Sequence, residues 1–156
     1  MEKVKRSQHL TFLDTTPKSE TPTWALLGVG VTDFGYSYNP QVTTEKWIIE
    51  DNARNIHESN QKQGSVSQTI YKDDPCFEFI NAGRDKLDYT TRILEIDTWD
   101  ENESGAYSAK MTDGKVVITS YMGENASIEY DLYFEGDLKE GYATIADNKP
   151  TFTENA

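Results

Sequence analysis

The sequence predicts a mainly β fold: a two-sheet β-sandwich or barrel with one flanking α-helix and a long polar β-arm. Three observations predict it. Residues 127–135, SIEYDLYFE, alternate: Ile128, Tyr130, Leu132 and Phe134 face one way and Glu129, Asp131 and Glu135 the other, as in a strand with one buried face. Only one stretch, DDPCFEFINAGRDKL at 73–87, carries helix signals, while strand-like runs recur before and after it. Residues 39–73 are rich in Gln, Asn, Ser and Thr, and make too long a tract for an ordinary connection in a compact domain.

The elements follow in order. HLTFLD at 9–14 reads as a first strand, closed by the turn-rich TTPKSETPT. Residues 24–38 form a long extended segment whose glycines at 28, 30 and 35 imply bulges or a strong bend. The 39–73 tract has only Trp47, Ile48, Ile49, Ile56, Val66 and Ile70 as strong apolar points, so its strands need a partner to settle. In the helix Asp74 caps and Pro75 suits the first helical position, where its missing N–H costs nothing. Cys76, Ile80, Gly83 and Leu87 lie on one stripe with Phe77 beside it, predicting the packing side. Strands are then expected at 91–99, 105–111, 115–121 and 127–135, with Asp113-Gly114 as a hairpin turn between the second and third of these. A last pair, 141–146 and 150–153, meets around a turn at 147–149.

Composition narrows the function classes. A chain of 156 residues with 12 % aromatics fits one globular domain with a real core. The 27 acids against 15 bases give a net charge of −12, which disfavours nucleic-acid backbones and anionic membranes as partners. Cys76 is the only cysteine, so no intrachain disulfide forms. The start, MEKVKRSQHL, has bases but no following apolar run, and no stretch approaches the length of a membrane helix, so neither a signal peptide nor a membrane span is expected. On that expectation the chain is made in a reducing, soluble compartment, and the sequons at Asn102 and Asn125 are chance matches.

Chemistry-bearing motifs are few. His9 and His57 stand far apart without a cluster at metal-ligand spacing, and Cys76 falls on the packing stripe of the helix, as a buried structural thiol would. Gly28-Val-Gly30 starts like a phosphate loop, but the next glycine is at 35 and no helix follows. Asp100-Glu-Asn102-Glu-Ser104-Gly105 opens like a calcium loop, yet position twelve is Met111 and strands flank it, so a hairpin turn is the better reading. No nucleophile motif is present, and neither catalytic nor metal residues nor a cofactor are assigned. What stands out is acid clustering and the polar tract. Glu95, Asp97, Asp100, Glu101 and Glu103 run without a base, and residues 124–140 hold six acids against Lys139 alone.

Several phrases recur in a definite order: HLTFLDTTP, TPTWALLGVGVTDFGYSYNPQVTTEKWI, YKDDPCFEFINAGRDKL, GAYSAKMTDGKVVITSY and KEGYATIADNKPTFT. In that order and spacing the chain resembles the major tail tube proteins of long-tailed, siphovirus-like phages and prophages of Gram-positive bacteria. The likeness spans most of the chain and includes no catalytic signature. It implies a single tail-tube domain over 1–156, with 39–73 as an inter-ring arm. Six-membered rings would join their sheet edges into one inner barrel and stack into a tube. DNA would pass through without specific binding. The acids then become lumen-lining candidates: Glu95, Asp97, Glu129, Asp131 and Glu135. Trp47, Ile48, Ile49, Ile56, Val66 and Ile70 become ring-stacking candidates, and Cys76, Phe77, Ile80 and Leu87 hold the helix to the sheets. Implied partners are further copies of the chain and the tape measure, tail terminator and distal tail proteins, with no membrane. The implied location is the virion tail, after synthesis in the host cytoplasm. Alternatives are the tube of a contractile tailocin or secretion-like device, and a monomeric β-sandwich binding module. In such a module Trp24, Trp47 and Trp99 would converge on one site.

Overall fold

Adjacent apolar residues, rather than strict alternation, set the architecture. The computed structural model describes residues 1–155. Strands β1 (His9–Asp14), β2 (Trp24–Leu26), β3 (Val31–Ser37), β4 (Gln41–Glu45), β5 (Arg54–Ser59) and β6 (Gln63–Thr69) precede helix α1 (Pro75–Ala82). Strands β7 (Tyr89–Glu101), β8 (Tyr107–Tyr121), β9 (Ser127–Ala146) and β10 (Lys149–Glu154) follow it. One antiparallel sheet runs β2-β1-β7-β8-β9-β6-β3 with β10 also on β9, and β4 and β5 pair separately.

The sheet is buried on both faces along its middle. In β1 Leu13 enters one core and its neighbour Phe12 the other; in β7 Ile93 and Leu94 divide in the same way. The first core joins these to Val116, Ile128, Tyr130 and Leu132 and takes the helix through Cys76, Phe77, Phe79 and Ile80. The second holds Phe12, Leu94, Ile96, Ala109 and Ala143, with Trp24 and Phe152 packed against it. A strand covered on both sides reads as a continuous apolar run, which is what LTFL and RILEI are. Strand β9 serves both halves: Ser127–Tyr133 pair with β6, and 141–146 pair with β10. Between them Gly136 takes φ 71°, and the register against β8 jumps from Asp113↔Glu135 to Met111↔Lys139. The extra residues form a bulge that bends the strand from one half to the other.

Several expectations need correction. Asp113-Gly114 is not a turn. It lies inside β8, opposite Thr91 and Phe134, so 105–111 and 115–121 belong to one strand, and 127–135 and 141–146 to another. A Cβ on Gly114 would stand 2.6 Å from Ile93 Cδ1 and 2.8 Å from the Tyr133 carbonyl oxygen, so the glycine answers to packing across the sheet. The hairpin into β8 turns at 102–106, where the Asn102 carboxamide accepts from the Ser104 and Ala106 amides at 2.9 and 3.0 Å. The β9–β10 turn uses Asp147 and Asn148, both at positive φ, as a two-residue hairpin requires.

The helix is capped by Asp74, whose side chain accepts from the Cys76 amide, and ends at Ala82. Gly83 lies against the Tyr89 ring, where a Cβ would sit 2.3 Å away, and the chain turns there. Leu87 therefore falls outside the helix and is 95 % exposed instead of packed. Phe79, off the expected stripe, is buried and stacks on Tyr89 with ring centroids 4.9 Å apart. The polar tract also divides. Its last strand, β6, lies inside the main sheet between β3 and β9, with Val66 and Gln68 buried, so Val66 is a core residue and not part of an arm. Ile70 packs against the first core. What projects is the β4–β5 hairpin.

Candidate functional site

Two regions stand out beyond the cores: a polar cluster where the curled sheet closes, and the β4–β5 hairpin together with the acidic face of β9. Residues 93, 95 and 97 of β7 share the inward face, so Glu95 and Asp97 follow Ile93 into the mouth of the first half-barrel. There Lys62, just before β6, donates to Glu95 Oε2 and Oε1 at 2.8 and 3.0 Å. Its ammonium lies 4.6 Å from the ring centroids of Tyr36 and Phe134 and 5.2 Å from that of Tyr38. The result is an aromatic cage around a paired lysine. Beside it His9 Nδ1 meets Asp97 Oδ1 at 2.6 Å, and His9 Nε2 meets the Tyr36 hydroxyl at 2.9 Å. That hydroxyl also meets Thr11 Oγ1 at 2.6 Å. Together with Arg6, which donates to the Phe34 carbonyl at 3.0 Å, these bonds fasten edge strand β3 across to β1. They close the barrel by side chains, not by a ladder.

The cluster fronts a cavity of about 390 Å³. Burial, and then the charge of Glu95, hold the Tyr36 phenol well above the usual tyrosine range, so it is a neutral hydrogen-bonding group and not a nucleophile. Cys76 is farther inside; burial, with Asp74 adding to it, pushes its thiol up to about 12. Tyr130, which donates to Gln68 Oε1 at 3.1 Å, is likewise raised by burial. Most acids, bases and hydroxyls here satisfy one another, the buried Thr112 hydroxyl on the cavity lining being left without a partner among the described residues.

The five acids expected on one surface are therefore dispersed. Glu95 is 7 % exposed and bound to Lys62, and Asp97 is bound to His9; both face the barrel interior because the period of β7 puts them there. Glu135 pairs with Lys115 at 3.3 Å, and Lys115 also holds Asp88. Glu129 and Asp131 stay on the outer face, with Asp33 of β3 beside them across Ser65 and Ser67 of β6. Ser65 donates to Asp131 at 2.8 Å. Asp33 was missed because VTDFGYS shows a single acid, and nothing in the sequence sets β3 next to β6.

Every residue of β4 and β5 is exposed. The hairpin is held by its ladder and by polar cross-strand bonds, Thr43 to Glu58 at 3.0 Å and Thr44 to Asn55 at 3.1 Å. At its tip the Trp47 indole donates to Glu45 at 2.8 Å under the Arg54 guanidinium, and Arg54 is ion-paired with Glu50. Ile48 and Ile49 project beyond, 102 % and 85 % exposed, and Ile56 is partly exposed along the shaft. At its root the Gln61 amide donates to the Tyr38 carbonyl at 2.9 Å and Asn39 donates to the Gln61 carbonyl at 3.1 Å, one residue before caged Lys62. Lys62 was missed at sequence level, since a lone lysine in a polar run gives no sign of being an anchor.

No known family model matches the chain, and no curated protein sequence matches it. Among solved structures it is similar to a chain of the anti-feeding prophage baseplate, determined by cryo-electron microscopy with six-fold symmetrisation. The TM-score is 0.49 at 9 % identity, over 90 % of this chain and 95 % of that one. A likeness of this size decides neither family nor function.

Proposed function

We propose that the protein is a structural subunit that polymerises into the tail tube of a phage or phage-derived particle. Rings of six would stack through the β4–β5 hairpin around an acidic conduit for DNA. The observation that carries this reading is the hairpin: a fully exposed two-stranded arm tipped by Ile48 and Ile49, on a domain whose two cores are already closed. Large apolar side chains held out in water at the end of a shaft suit insertion into a neighbour. With strand ends rising about 3.3 Å per residue, the arm reaches roughly 20 Å from its root, far enough to meet an adjacent ring. The outer acids Glu129, Asp131 and Asp33 supply the negative wall, repeated six times at one height. The role is assembly and not catalysis, with tape measure, terminator and distal tail proteins as further partners and the virion tail as its place.

The binding-module reading is disfavoured by the tryptophans. Trp24 packs on the second core, Trp47 is at the arm tip and Trp99 is on the exposed end of β7. Negative-stain microscopy across a concentration series tests the proposal. Tubes of uniform width are expected from the parent. Replacing 46–53 by a short turn should leave a folded domain that makes no long tubes. A parent that stays monomeric at every concentration, or a shortened variant that assembles equally well, would refute it.

A further inference from the structure

Among the apolar features that the fold leaves uncovered, two complement each other. One is the arm tip with Ile48 and Ile49. The other is a hollow of about 630 Å³ beside the helix, between the 15–19 turn and the 86–90 segment. Its apolar lining comes from Pro17, Phe79, Tyr89 and Leu87, and Lys18 and Lys86 stand beside it. Leu87 is 95 % exposed, although it belongs to the apolar pattern of the helical segment.

We propose that the arm tip of one copy docks in this hollow of the next. The inference rests on the assembly reading above and adds its receiving surface. Charge selects a second copy as the occupant. A chain of net charge −12 repels itself over most of its surface, so self-association needs a place where bases collect. At the hollow Lys18 and Lys86 have no ion-pair partner among the described residues, and the acid there, Asp88, is held by Lys115 at 3.2 Å. The tip brings the opposite sign. Glu50 is taken up by Arg54, which leaves Asp51 next to the two isoleucines without an ion-pair partner among the described residues, and over the whole tip Glu45, Glu50 and Asp51 outnumber Lys46 and Arg54. Docking sets Ile48 and Ile49 against Leu87, Phe79 and Pro17, with Asp51 among the two lysines. It would cover the most exposed aliphatic side chains of the arm and of the helical segment in one contact. A polar rim around an apolar centre is the ordinary form of a specific interface.

Disulfide trapping tests this. Subunits carrying Ile48→Cys are mixed with subunits carrying Leu87→Cys under assembling conditions and oxidised mildly. Cys76 is fully buried and stays silent. A heterodimeric disulfide is expected in the assembled fraction, and none when Ile48→Cys is mixed with Thr119→Cys on the outer face. Lys18→Glu with Lys86→Glu should raise the concentration needed for assembly about tenfold, and adding Asp51→Lys should reverse much of that loss. Tubes that form without the trapped pair, and that ignore the charge reversal, overturn the docking site while leaving assembly standing. A protein that never assembles overturns both.

Discussion

Lys62 is the most informative residue to perturb, because it joins the arm to the barrel through a charge with little access to water. Its side chain is 14 % exposed and that of Glu95 is 8 %. Replacing Lys62 by Met keeps the aliphatic stem and strands the carboxylate. Losing one member of a buried pair costs about 3–5 kcal/mol. The cavity at the barrel mouth leaves water a route to this pair, so the low end, about 3 kcal/mol, is expected. Glu95→Gln should cost less, about 2 kcal/mol, since the ammonium keeps the Tyr36, Tyr38 and Phe134 rings and one carboxamide acceptor. The double variant Lys62→Met with Glu95→Leu removes both charges and should return to within about 1 kcal/mol of the parent. Urea unfolding followed by far-ultraviolet circular dichroism measures all four corners of the cycle. In a domain of this size each kcal/mol moves the melting temperature by about 2–4 °C, so Lys62→Met should melt about 6–12 °C early. If both single variants stay within about 0.5 kcal/mol of the parent, the pair is screened like a surface bridge and the cage holds nothing in place.

Four further outcomes are expected. Gly114→Ala forces a methyl toward Ile93 and the Tyr133 carbonyl and should destabilise by about 1–3 kcal/mol; an unchanged thermal melt would return Asp113-Gly114 to a turn. Ile80→Asp buries an unpaired charge and should unfold or aggregate the subunit, whereas Leu87→Asp should leave the monomer within about 0.5 kcal/mol of the parent; a soluble, assembling Ile80→Asp protein would place the helix wrongly. Burial raises the Asp74 carboxyl above its ordinary 3.8, so its charged form costs folding stability above the raised value, and the cost fades as pH falls toward 3.8. The stability difference between the parent and Asp74→Asn should accordingly move in the parent's favour on acidification, and a pH-independent difference in melting would contradict that. Glu129→Lys with Asp131→Lys should fold and assemble, because both sit on the open outer face, yet slow DNA ejection in a salt-reversible way; normal ejection would mean that this face is not the lumen wall.

Much of the β class was legible because period two and turn chemistry are local. The strand at 127–135, the helix start at Asp74-Pro75 and the 147–148 turn each depend on neighbours within a few residues. What was not legible depends on contacts from afar. Nothing near Gly114 in sequence says that Ile93 packs over it, so a strong hairpin dipeptide was overridden by the sheet. The stripe through Leu87 failed because Tyr89 lies against Gly83 and ends the helix early. Val66 looked like part of an arm because GSVSQ is polar on alternate positions; as a strand between β3 and β9 it needs only one buried face. For the same reason the charge clusters misled: proximity in sequence grouped Glu95 with Glu101, while the pleat sent Glu95 inward to a lysine more than thirty residues earlier.

That sorting bears on what the remaining acids are for. Glu95, Asp97 and Glu135 each meet a base or His9 within the subunit, so the fold accounts for them. Glu129, Asp131 and Asp33 have no cationic partner among the described residues, and like charges on neighbouring strands oppose the sheet that carries them. Between the acids lie Ser65, Ser67 and Thr119, and beside Asp131 the exposed Val117 and Tyr133 share its face. On the proposed tube reading, the unpaired carboxylates of this strip would keep phosphate off the wall.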